Sequence, residues 1–406
     1  MPTLLCIISF IALAWAGLSL AQTTDICPNG LRVRRSFTSL PDWQREAVVE
    51  GFRRMKRSGA LDRMTRVHRA GMQYHSTTQF LPMHRALLVE FEQELIRHHN
   101  WIWALPYWDE LPDAGFPIRS GIFSNTNGGM GLAQAGPLSA PFQGFTDDFN
   151  QWVTRNPAPQ SAWFNWVPQG QVLAQALRQF TTFRQMSYMI EGSPHNAFHG
   201  ILGGSMGNPN VSPADPVFWL HHAYIDLVWA AWQLEGISTS NFLNLTTFPG
   251  DLPVPPTAPT VLYESRWTNT DMLYYRQRLC YMYDAVLSTG PPAPPRTNTA
   301  ANANATEASA IEFSKLAPLP DDTIEKLMPL LTKEEAVRRY RASEAVLNRA
   351  ADELNRKSGH ERVHTMRAPS VMDLLCMGNA EVMGKIVDQG EHSKIPAVVA
   401  MEQRKK

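Results

Sequence analysis

The chain has 406 residues, with 37 basic and 37 acidic side chains, a formal net charge of zero and no basic excess of the kind that marks a nucleic-acid binder. With 44% hydrophobic and 18% charged residues it is globular rather than disordered, and its 12 Trp and 18 Phe supply a sizeable core. Four Cys are too few for a disulfide scaffold.

Residues 1–21 form an apolar run with small residues near its end, followed by polar Gln22, Thr23 and Thr24. This pattern resembles a secretory signal peptide cut near Ala21, so the mature protein is expected to be secreted. A membrane anchor is the competing reading, because the run reaches the lower limit for a spanning helix. No later segment is apolar for long enough to span a bilayer. Cleavage leaves Cys27, Cys280 and Cys376. Cys27 and Cys280 flank the aromatic-rich region and are the expected pair, with Cys376 left over.

Residues 22–290 form one core domain of uniform composition. A Pro-rich and low-complexity linker is expected over 291–318, and a helical C-terminal extension, with a regulatory role open, over 319–406. The basic excess from Arg32 to Arg69 reads as a solvated helical face. Glycosylation sequons begin at Asn210, Asn244 and Asn304, the last in the linker and best suited to modification.

Nine of the 12 histidines lie between positions 68 and 222, in two clusters. His84 shares a 3,4-spaced stripe with Leu87, Leu88, Phe91 and Leu95, so it points with core residues. His195 and His199 are one helical turn apart and able to share one metal ion. Asp215 and Pro216 start a helix, apolar on most sides, that carries His222. A lone histidine on an apolar face is usually a hydrogen-bonded core residue. Three such positions, each beside further histidines, point to a metal site instead. The pair His195-Asn-Ala-Phe-His199 lacks the Glu of a zinc protease, and no Cys lies in either cluster. Those features leave a copper pair open without proving it.

These residues resemble the type-3 copper proteins of the tyrosinase family, over about residues 30–285. His75-Ser-Thr-Thr-Gln-Phe80-Leu-Pro-Met-His84-Arg85 resembles the family's CuA signature, and the segment from Leu61 to His68 the one carrying the first CuA ligand. His195-Asn-Ala-Phe-His199, then Gly203-Gly204, is similar to the start of the CuB region. The segment from Asp215 to Asp226 is similar to its end. Leu105-Pro-Tyr107-Trp108-Asp109 and Tyr281-Met-Tyr283 resemble the intervening motif and the one that closes the core.

The resemblance implies a mainly α-helical fold: an antiparallel four-helix bundle holding a dicopper centre, with long loops and the helical extension. It implies two copper ions, CuA held by His68, His75 and His84, and CuB by His195, His199 and His222, with His221 orienting rather than ligating. Arg85 and Asp226 are expected to pair across two helices. Glu191 and Asn196 match positions that hold a water acting as general base on a phenol, and Met206, Val211 and Ser212 border the substrate pocket. The implied partners are a phenolic small molecule and O2, with no nucleic acid and no membrane span. The implied activity is that of a tyrosinase, acting on monophenols and o-diphenols. A catechol oxidase restricted to diphenols, or a non-catalytic oxygen-binding or matrix protein, are the alternatives. Three departures stand out: Met83 replaces the usual Trp, the His68–His75 spacing is short, and no Cys lies near His75 for a thioether. In relatives a C-terminal segment can cover the site until proteolysis, and the linker would suit such a cut.

Overall fold

The computed structural model describes residues 27–110, 112–113, 117–158, 168, 170–180, 182–234, 267–284 and 315–358. The leader, the sequons at Asn244 and Asn304, residues 291–314 of the expected linker and Cys376 lie outside them. Among the described residues no helix is long and apolar enough to cross a membrane.

The chain opens with β1 (Arg32–Arg34), then α1 (Asp42–Arg57), α2 (Ala60–Ala70) and α3 (Phe80–His98). Long loops carry two short strands, β2 (Gly136–Pro137) and β3 (Thr154–Arg155), which pair antiparallel. Helices α4 (Gly170–Arg178) and α5 (Phe183–Ile190) follow, and α5 runs through a π-helical segment, Glu191–His195, into α6 (Asn196–Leu202). Then come α7 (Val217–Leu234), the short α8 (Asn269–Leu273) and β4 (Tyr281–Tyr283), which pairs parallel with β1. The extension forms α9 (Asp321–Leu327) and α10 (Lys333–Ser358). The fold is mainly α, as the resemblance implies.

Among the described residues α2, α3, the α5–α6 unit and α7 carry the clustered histidines. Helix α3 has Pro82 in its first turn, where the ring costs no hydrogen bond, and buries His84, Leu87, Leu88, Phe91 and Leu95 together. Helix α7 is apolar apart from His221, His222, Asp226 and Gln233, and Phe218 through Ala231 are buried on every face. It packs against α3. Its start is fixed by Arg155, which is buried, donates to both oxygens of Asp215 (2.8 Å each) and reaches the carbonyls of Met130, Gly131 and Leu132. Asp215 in turn accepts from the Val217 N–H (3.1 Å), the capping role its side chain suits.

Two features depart from the sequence reading. The charged segment from Arg32 is not wholly a solvated face: Arg34 is fully buried. It pairs with Glu92 and Asp226, because the β1–β4 pairing draws it under the bundle. The helix bearing His195 is also not one regular α-helix. Ser193 has extended φ/ψ (−157°, 124°) and Pro194 follows it, so the chain jogs before His195. The Cys27–Cys280 pair is joined in the structure.

Candidate metal centre

Two groups of buried histidines face one another at the centre of the bundle. His68 (α2), His75 (the loop before α3) and His84 (α3) present ring nitrogens within 4.8 Å of one another. The same holds for His195, His199 (α6), His221 and His222 (α7). The groups are in contact: the His84 and His222 rings stack at 4.4 Å, and Phe80 sits between His84 (4.6 Å) and His195 (4.7 Å). Phe218 packs on His222 (4.1 Å) and His68 (5.1 Å). Aromatic walls exclude water and fix ring orientation.

The hydrogen bonds assign the tautomers. Nδ1–H of His84 donates to the Phe80 carbonyl (2.8 Å), that of His199 to Met206 (2.7 Å), that of His75 to Met72 (3.2 Å). His195 Nδ1 faces the Asn196 Oδ1 (3.0 Å) and the Glu191 carbonyl (3.3 Å). With Nδ1 committed to an acceptor, Nε2 keeps the lone pair that a metal needs. Nε2 of His84 and of His195 and Nδ1 of His222 are buried without a protein hydrogen bond, and so are both nitrogens of His68 apart from the nearby Pro209 carbonyl; the Nε2 atoms of His199 and His222 lie 3.3 Å apart. Buried polar atoms are rarely left so, and orphans converging from two triads fit metal ligation. Neutral imidazoles throughout suit copper.

Electrostatics agrees. Burial pushes all seven histidines below the usual imidazole range, joined by repulsion among the rings for every one but His199; His75 and His199 fall to about 4. At neutral pH every ring is unprotonated and ready to ligate.

His221 differs from its neighbour. Its Nδ1 meets the buried Glu110 carboxyl at 2.5 Å, and burial beside Asp113 and Asp109 holds Glu110 well above the carboxylate range. Its Nε2 has no hydrogen bond of normal geometry, although the His195 carbonyl is close enough to favour the protonated ring. Its Nε2 is thus as unpaired as those of His84 and His195, and it is the family resemblance that sets His221 apart from His222 as an orienting residue. Glu110 itself was missed by the sequence reading. So were the Met72, Phe80 and Met206 carbonyls, since main-chain acceptors carry no residue signature.

Met206 reaches His199 because Gly203 and Gly204 take left-handed φ (+55° and +54°) and press on β3. A Cβ on Gly204 would lie 2.4 Å from the Thr154 carbonyl, so the close approach needs glycine. Val211 and Ser212 are buried nearby in the turn before α7, and Asn210 is exposed.

Glu191 is buried at the edge of the centre rather than exposed at a helix end. Its Oε1 accepts from the Ser76 N–H (2.6 Å), while Oε2 has no protein partner. Burial drives its carboxyl up to about 8, against the Ser76 N–H and the Arg339 charge. Asn196 uses Oδ1 on His195 and leaves Nδ2 without a partner. Arg85, next to His84, meets Asp226, one turn after His222, at 2.5 Å, as the resemblance implied. Asp226 also accepts from Arg34 (3.3 Å), Tyr281 (2.6 Å) and Tyr283 (2.5 Å).

The common central domain of tyrosinase matches residues 58–235. The tyrosinase of Streptomyces antibioticus is 31% identical over 251 residues, covering 53% of this chain and 90% of its own length. A putative tyrosinase-like protein of Caenorhabditis elegans is 30% identical over 240 residues; the match takes in 55% of this chain but only 34% of that protein. A G-type hemocyanin of Enteroctopus dofleini is 31% identical over 176 residues, 39% of this chain and 6% of its own. Among solved structures, a polyphenol oxidase of Thermothelomyces thermophila has the same fold, with a TM-score of 0.51 at 20% identity, over 62% of this chain and 88% of that one. The chain therefore belongs to the tyrosinase family of dicopper, type-3 proteins, and its two buried histidine triads fit the family's CuA and CuB sites.

Proposed function

We propose that the chain is a secreted phenol oxidase. It would use O2 to ortho-hydroxylate monophenols and to oxidise o-diphenols, giving o-quinones and water. His68, His75 and His84 hold CuA, and His195, His199 and His222 hold CuB. When bound, the copper pair supplies dioxygen binding and the electron transfers. The chain does the rest. Seven unprotonated imidazoles and the Phe80 and Phe218 rings keep the centre dry and geometrically fixed.

The observation that carries monophenol chemistry is the pair of buried, partnerless atoms Glu191 Oε2 and Asn196 Nδ2 at the edge of the centre. An acceptor and a donor so placed can hold one water, and Glu191 can take the phenol proton through it. The raised affinity of Glu191 for a proton suits a base, and positive charge bound at the triads would draw its pKa back towards neutrality. A diphenol is more acidic and depends less on that base. The Streptomyces relatives named as tyrosinases support the same reading.

The test is copper content, followed by turnover of a monophenol and an o-diphenol. Two coppers per chain and quinone from both substrates are expected. Glu191→Gln should lower monophenol turnover by about 10²-fold or more and leave diphenol turnover nearly intact. Diphenol turnover alone in the wild type would make the chain a catechol oxidase. Copper bound without any quinone would make it an oxygen-binding protein. Secretion rests on the apolar run at 1–21, and a mature N-terminus at Gln22 in the medium would establish it.

A further inference from the structure

The extension does not stand apart from the bundle. Helix α10 packs on α4, α5 and the π-helical segment, and α9 packs on α6. Leu319, Ile324, Tyr340, Leu347, Ala350 and Ala351 are buried in the same apolar core as the bundle. The fit is close at Gly192, where an added Cβ would lie 2.4 Å from Ser343 Oγ. Ser343 also donates to the Tyr188 carbonyl on α5 (3.3 Å).

One side chain of α10 reaches the metal centre's rim. Arg339 donates from Nη1 to the Ser76 carbonyl at 2.6 Å. Glu335 (2.6 Å) and the face of the Tyr188 ring (4.9 Å) hold its guanidinium, leaving 11% of the side chain exposed. Ser76 directly follows His75 and has φ +60°, a left-handed conformation that costs a residue with a side chain. Such a conformation persists only where its surroundings hold it. Here two contacts do so: Arg339 on the Ser76 carbonyl, and Glu191 on the Ser76 N–H. A single residue thereby ties a CuA ligand's turn, the Glu191 carboxylate and the extension together.

We propose that Arg339 is a positioning residue, and that α10 is a fixed buttress which sets the His75–Ser76 turn and aims Glu191, rather than a cover to be removed. This rests on the function proposed above. It makes the opposite prediction to a latent enzyme, in which loosening the extension raises turnover.

The experiment compares full-length, copper-loaded wild type with Arg339→Ala, Arg339→Lys and Arg338→Ala. Arg338 sits beside Arg339, is 71% exposed and pairs with Glu335, so it serves as the control. Three quantities are read: release of copper to a chelator from the resting protein, the melting temperature, and kcat and KM for a monophenol and an o-diphenol. Arg339→Ala should release the first copper equivalent faster and lower monophenol kcat by about tenfold relative to diphenol kcat, with diphenol KM unchanged. Arg339→Lys should recover much of the loss, because an ammonium can still donate to the Ser76 carbonyl. Arg338→Ala should match wild type. Should Arg339→Ala fold poorly, Glu335→Gln, which weakens the ion pairs of both Arg339 and the control Arg338, should shift the monophenol-to-diphenol ratio in the same direction by less. An unchanged ratio with unchanged copper release would overturn the inference, and so would a rise in turnover on both substrates. If the wild type itself binds no copper or makes no quinone, the functional reading fails first, and visibly so.

Discussion

Replacing Asp226 by Asn tests the charge network that fixes the two metal-bearing helices. The substitution keeps side-chain volume and removes one negative charge from beneath two buried guanidinium groups. Arg34 retains Glu92 at 3.2 Å, so it keeps a counter-ion. Arg85 does not. Its other partners are neutral: Gln233 Oε1 (2.7 Å), the Met272 carbonyl (2.7 Å) and the face of Trp229 (3.5 Å). The Arg85 side chain is fully buried, so its charge cannot turn to water. Stranding a buried charge in this way costs about 3–5 kcal/mol. At about 2–4 °C per kcal/mol for a domain of this size, the melting temperature should fall by about 6–20 °C. Thermal unfolding of the metal-free variant reads that directly. The double variant Arg85→Met, Asp226→Asn removes the stranded charge and should recover part of the loss, a coupling of about 1–3 kcal/mol. Because Arg85 adjoins His84 and Asp226 lies one turn after His222, copper affinity should fall by about 10–100-fold. A melting point within about 3 °C of wild type, or strictly additive single effects, would refute the reasoning.

Glu92 yields a pH test. Burial acts to raise its carboxyl, but Arg34 and Arg32 outweigh it and hold the group below its usual 4.5. Its contribution is therefore complete above about pH 4.5 and fades as pH falls through the depressed native value. The stability gap between wild type and Glu92→Gln in urea titrations should shrink below about pH 4, and a constant gap from neutrality to pH 3 would contradict it. Gly204→Ala should cost about 2 kcal/mol or more, combining the left-handed φ with the Thr154 contact, and should weaken copper binding by displacing the Met206 carbonyl; an unchanged urea midpoint would count against this. Chelation should lower the melting temperature by an amount that grows with the copper concentration it reverses, up to about 4 kcal/mol of stabilisation when copper stands at a thousand times its Kd; calorimetry showing no copper dependence would exclude a native metal site.

Much of this was legible in the sequence, for definite reasons. His84 and His222 announce themselves through helical stripes whose other members are apolar, and the i, i+4 pair at His195 and His199 places two rings on one side. The Arg85–Asp226 contact was implied by the resemblance, which sets both residues after histidines on facing helices. What stayed hidden depends on the chain's return from a distance. Nothing around Arg34 distinguishes it from its half-buried neighbours Arg32 and Arg35 until β1 pairs with β4. The jog at Ser193–Pro194 carried no signal either, although the resemblance had placed Glu191, which is buried, at the site. Arg339 lies on a helix whose composition reads as an appendage, and its target is a main-chain carbonyl, an acceptor that every residue has.

The pairing of β1 with β4 also bears on the order in which the molecule can be completed. Arg34 and Tyr283 are 249 residues apart, yet both close on Asp226. At about 5–20 residues per second of synthesis, Arg34 waits roughly 10–50 s for its last partner to be made. During that interval the histidine helices exist, but the lattice of charges and phenols beneath them is open. The core therefore becomes a finished vessel only when its first and last strands meet, and Cys27 and Cys280 then rivet that seam.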